Sequence, residues 1–104
     1  MTQPTPVNWQ TVLEKANPQL QKSISAVREG VLSEGALSLK TKTLMTMLCD
    51  AILAHGDGVA SIARRARNLG ATEAEIAETV GVAFLMGGLP GLVTGANAFR
   101  DQGK

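Results

Sequence analysis

Two side chains bound the polar chemistry open to this chain: one histidine, His55, and one cysteine, Cys49. The histidine stands in "LAHGDGVASI", residues 53–62, between an apolar run and the glycines Gly56 and Gly58 that flank Asp57. A free imidazole titrates near ~6.5, so it can give or take a proton at neutral pH. Asp57, two residues on, can orient such a ring, or it can cap the helix that follows; aspartate's preference for the N-cap favours the cap. His55 can do acid–base work, or it can meet the last carbonyls of the helix it ends, where a histidine is favoured by the helix dipole. Cys49 falls between Met45 and Ile52 on an apolar stripe. A free cysteine so placed is expected to be a small buried hydrophobe with little reactivity. Disulfide cycling needs two thiols within about 6 Å between Cα atoms, and one chain offers one.

Other chemistries find less support. One histidine and one cysteine make no metal cluster, and neither metal nor cofactor is expected. "GGLPG", residues 87–91, lacks the strand and the lysine of a phosphate loop. Arg64, Arg65 and Arg67 could grip an anion. They fall on the outer face of their helix, however, and read as a solvated face or as partners for Glu73, Glu75 and Glu78. A net charge of +1 gives no footing for nucleic acid. A lone cysteine gives no support for an oxidising compartment. The start "MTQPTPVNW" has neither the basic residues nor the apolar stretch of a signal peptide, so the expected location is cytoplasmic, with no membrane partner.

The elements that must position these residues are all helical. The 104 residues suit one domain, with residues 1–7 as a flexible arm. The apolar mass is mostly Ala, Leu, Val, Met and Ile, with three aromatic residues, a mixture suited to close helix packing. Asn8 can cap a short helix carrying Trp9, Val12 and Leu13. Asn17 before Pro18 caps a second, which runs to about Leu32. Ser38 opens a third, with Leu44, Met45, Leu48, Cys49 and Ile52 on its apolar face and Gly56 as its left-handed stop. Asp57 opens a fourth, with Val59, Ile62, Ala63, Ala66 and Leu69 inward and Gly70 at its end. Thr72 and Glu75 form a capping box for a fifth. Pro90 starts a sixth, ending near Phe99. From Thr79 to Phe99 no residue is charged, a length that could span a bilayer. The glycines and proline of "MGGLPGL" favour a buried hairpin instead. Both of these helices are apolar nearly all round. Either they form the central layer of the monomer or they meet another subunit through Met86, Leu89, Leu92 and Val93. A chain this short covers two such helices poorly, which favours the subunit interface.

"LSLKTKTLMTML" and "RARNLGATEAEIAETVGVAFLMGGLPGLVTGANAF" resemble the carboxymuconolactone decarboxylase family, which includes the alkylhydroperoxidase D-like proteins. The resemblance covers about residues 37–99, and "GATEAEIAE" and the "MGG-P" break are its most specific parts. It implies an all-α fold assembled as trimers or as hexamers built from them, in keeping with the six helices read above. It also implies a functional motif. Redox members carry Cys-x-x-Cys, a histidine four residues later and an upstream glutamate, and they reduce peroxides with thiols. Alignment through "LSLKTK" and "GATEAEI" puts the first cysteine at His55, the second at Gly58, the histidine at Ile62 and the glutamate at Thr43. None of the four is kept. The decarboxylase branch needs no thiol pair, but its histidine also falls at Ile62. The expectation is therefore a family member without disulfide-cycling peroxidase activity. It would bind a small molecule in an apolar pocket near Thr43, Met47, His55 and Ile62, with Cys49 and Gly58 close by. Three alternatives stand beside it: a non-redox enzyme using His55 and Asp57, a residual peroxidase using Cys49, and a non-catalytic oligomeric module.

Overall fold

The structure, a computed structural model, describes residues 9–100. The expected arm at residues 1–7 and the Asn8 cap lie outside the described residues. Among the described residues there are five α-helices and one short 3-10 helix, with no strand. The chain divides into two compact units, at Ser33 and Glu34.

The first unit is a helical pair, α1 (Trp9–Ala16) and α2 (Pro18–Val31). Asn17 ends one and starts the other: its side-chain oxygen accepts from the Leu20 N–H at 3.1 Å, and Pro18, which has no N–H to leave unpaired, takes the first helical position. The Arg28 guanidinium lies 5.5 Å from the centre of the Trp9 ring, within cation–π range. Trp9, Val12, Leu13 and Ala16 line an open cleft of about 420 Å³.

The second unit holds α3 (Leu39–Ile52), α4 (Gly56–Asn68), α5 (Glu73–Gly95) and the 3-10 helix Ala96–Phe99. Its core is built from Met47, Ala51, Val59, Ala63, Ala66, Ala71, Ile76, Val80, Ala83 and Ala98, with Leu44, Leu48, Ile62 and Phe99 packed around it. More than half of these core residues are alanines, so the helix backbones lie close together. That closeness decides which face of α3 turns inward. Its buried residues are Thr43, Met47 and Ala51, while Met45, Cys49 and Ile52 are exposed. The expected inner stripe was thus rotated by part of a turn. The apolar face of α3 is wider than the core, so only part of it turns inward. Cys49 is not the buried hydrophobe its neighbours suggested.

The helix ends follow the sequence closely, with one exception. Ser38 caps α3 through the Thr41 N–H at 3.1 Å. Thr72 and Glu75 form the full capping box of α5, with bonds of 3.0 and 2.8 Å. Gly70 is left-handed, at φ 94°. The exception is the turn between α3 and α4. The left-handed residue there is Ala54, at φ 66°, not Gly56. Gly56 is the first residue of α4, and His55, not Asp57, stands at its N-cap. A Cβ on Gly56 would come within 2.9 Å of the Asn97 side chain, so glycine is used there for close approach rather than for reversal.

Within α5 the helix breaks at Gly88, whose backbone (φ 69°, ψ −163°) is open to glycine alone. Beyond it the chain folds back on itself. A Cβ on Gly91 would lie 2.6 Å from the Ala83 carbonyl oxygen, and one on Gly95 would lie 3.0 Å from Val80 Cγ1. The expected sixth helix is therefore the second limb of a hairpin, beginning near Pro90 and tightening into the 3-10 turn. By length and composition Glu73–Phe99 is apolar enough to cross a membrane. The reversal leaves neither limb with the roughly 20 residues a span requires. The hairpin is buried on one side only: Leu85 and Met86 are 77% and 70% exposed, and Leu89 and Val93 are also open.

Candidate functional site

The site begins where α3 gives way to α4. After Ile52 the chain makes the left-handed step at Ala54, and the His55 N–H donates back to the Asp50 carbonyl at 2.9 Å. This brings the two side chains together as well: His55 Nδ1 lies 3.1 Å from Asp50 Oδ1. The carboxylate is three-quarters shielded while the imidazole is more than half open, with exposures of 25% and 59%. The arrangement is an open imidazole backed by a sheltered carboxylate.

Gly58 completes it. A Cβ built on Gly58 would overlap Asp50 Oδ2 outright. The carboxylate therefore occupies the space that a side chain at position 58 would need.

Asp57 does something else. Its Oδ1 accepts from Arg100 Nη1 at 3.0 Å, and the same Nη1 donates to Asn97 Oδ1 at 3.1 Å. Asp57 thus ties the first turn of α4, where negative charge is favoured, to the end of the chain's last helix. It neither caps α4 nor touches His55; the imidazole's partner is Asp50.

The remaining sequence candidates lie along the seam between α3 and α4. Thr43 and Met47 are fully buried. The Thr43 hydroxyl donates to the Leu39 carbonyl of its own helix at 2.8 Å, so it is satisfied. Ile62 is half-buried against the core, and Gly58 is half-buried at the head of α4. Cys49 sits on the exposed side of α3 as a free thiol.

The basic cluster on α4 splits. Arg64 and Arg65 are exposed, as expected. Arg67 is not on a solvated face: its side chain is 16% exposed, it grips Glu73 at 2.7 and 2.9 Å, and it donates to the Ala98 carbonyl at 2.9 Å. It fastens α4 to the start of α5 and to the 3-10 helix. The Arg67 hydrogen bond holds the Glu73 carboxyl below its ordinary range. The Thr72 backbone N–H, and then Lys40 at 3.0 Å, do the same for Glu75.

The residue that sequence reasoning passed over is Asp50. A signal was present. An acid in the last turn of a helix, as Asp50 is in α3, faces the negative end of the helix dipole, an unfavourable place without a partner.

The sequence pattern of the carboxymuconolactone decarboxylase family matches residues 18–101. A crystal structure of the apo form of a carboxymuconolactone decarboxylase family protein from Legionella pneumophila superposes with a TM-score of 0.80 at 31% sequence identity, covering 85% of this chain and 79% of that one. No curated protein matches. The family pattern spans most of the chain, the solved fold agrees, and the helical hairpin with its "MGG-P" break is in place: this chain belongs to the carboxymuconolactone decarboxylase family.

Proposed function

We propose that this family member works without thiol–disulfide chemistry and binds a small molecule along the α3–α4 seam, near His55, Gly58 and Ile62. One observation carries the reading. At the positions where redox members place two cysteines, this chain has an imidazole and a glycine whose side-chain space is filled by the Asp50 carboxylate. The single free thiol, Cys49, lies on the other side of α3 from the buried Thr43, Met47 and Ala51. The experiment is peroxidase turnover of an organic hydroperoxide with a dithiol donor. No turnover above the protein-free rate is expected. Turnover that Cys49→Ser abolishes overturns the proposal and returns the protein to thiol chemistry.

A second reading is favoured by the Asp50–His55 contact. Here the protein is a non-redox enzyme acting on a small carboxylated or lactone-like molecule, with His55 as acid or base. A screen of such compounds against the wild type and His55→Ala decides it: turnover that survives the substitution removes His55 from the mechanism. In both readings the working form is a homo-oligomer, a trimer or a hexamer, in which neighbouring subunits cover Leu85, Met86, Leu89 and Val93. That this hairpin leaves its apolar side open supports the assembly. The location proposed is the cytoplasm.

A further inference from the structure

The His55 ring is held from one side only. Its backbone N–H and its Nδ1 both turn to residue 50, at 2.9 and 3.1 Å, across the end of α3. An ionised carboxylate can only accept, so a neutral imidazole meets it with the proton on Nδ1 and the lone pair on Nε2. No described residue bonds Nε2, and the ring is more than half open. The second carboxylate oxygen lies against Gly58, in the place of a Cβ.

We infer that Asp50 is a positioning residue that fixes the His55 proton on Nδ1 and so presents Nε2 as the proton acceptor, and that Gly58 is required because it leaves the carboxylate its room. The inference rests on the acid–base reading of His55. It names the substrate class as a small molecule with a removable proton on carbon or oxygen. The proton passes to Nε2, the electron pair stays on the substrate, and the imidazolium that forms lies against the Asp50 carboxylate, which offsets its charge. Gly58 and Asp50 then form a matched pair: a thiol or any other side chain at position 58 would expel the carboxylate that orients the ring.

The test uses the fact that His55 is the only histidine, so its ring signals need no assignment. In uniformly ¹⁵N-labelled protein at alkaline pH, nitrogen shifts read through the carbon-bound ring protons report which nitrogen holds the proton. The wild type is expected to show protonated Nδ1. Asp50→Ala and, separately, Gly58→Ala are expected to move the proton largely to Nε2. A wild-type ring protonated on Nε2 overturns the inference by itself, whether or not either variant folds. A proton that stays on Nδ1 in folded Asp50→Ala also overturns it. The measurement needs no substrate, so its failure is separate from that of the acid–base reading, which the turnover screen judges.

Discussion

At the scale of single residues, the coupling between Asp50 and Gly58 has an energetic signature. Glycine inside a helix costs up to about 1 kcal/mol relative to alanine. Gly58→Ala should therefore stabilise the protein by about 0.5–1 kcal/mol once Asp50 is already alanine. With Asp50 present, the overlap with its carboxylate should cancel that gain. A double-mutant cycle by urea denaturation reads the difference, and equal effects in both backgrounds would mean that the two residues do not compete for space. A second residue-level expectation concerns acid. The Arg67 hydrogen bond lowers the Glu73 carboxyl from its ordinary value, so its contribution to stability is present above the ordinary value and fades as the pH falls through the lowered native value. On acidification from neutral pH through the lowered Glu73 value, wild type should lose more thermal stability than Glu73→Gln; parallel losses would deny the pairing a role. Legibility at this scale was uneven. His55, Asp57 and Gly58 stand out because imidazole, carboxylate and glycine are conspicuous beside one another. Asp50 does not, because its tie to His55 spans a helix end, where the regular spacing of a helix face no longer says which side chains meet.

Among the elements, the helix starts were the most readable features. Asn17, Ser38 and the Thr72–Glu75 box all cap as their side-chain chemistry dictates, since a cap is a local bond within three residues. Thr72→Ala should cost about 1 kcal/mol in a denaturant titration, and a value near zero would show that the box adds nothing to α5. The inward face of α3 was less readable. Its apolar arc is broad, and only the approach of α4 and α5 picks Thr43, Met47 and Ala51 over Met45, Cys49 and Ile52. Tertiary closeness also explains the glycines of the hairpin. Gly91 faces the Ala83 carbonyl oxygen at a separation no Cβ tolerates, so Gly91→Ala should destabilise by about 1–3 kcal/mol through forced separation of the two limbs. An unchanged denaturation midpoint would contradict the close packing of those limbs.

For the whole molecule, the open side of the hairpin sets the expectation. Leu85→Glu combined with Met86→Glu should reduce the mass measured by light scattering to that of a single chain, with the helical circular dichroism of the monomer retained. This rests on the proposed assembly: a wild type that already has the mass of one chain, or a variant of undiminished mass, would contradict an interface at the hairpin. The all-helical fold was legible from periodicity and breaks alone. The division into two units was not, because the turn at Glu34 and Gly35 reads like any other connection between two helices. That division has a practical consequence. The only tryptophan, Trp9, belongs to the first unit, while the only cysteine and the only histidine belong to the second. Indole emission in a melting experiment therefore records the fate of the leading helical pair. Thiol labelling at Cys49 and the ring signals of His55 record the rest, and any gap between the two curves measures how far the parts unfold independently.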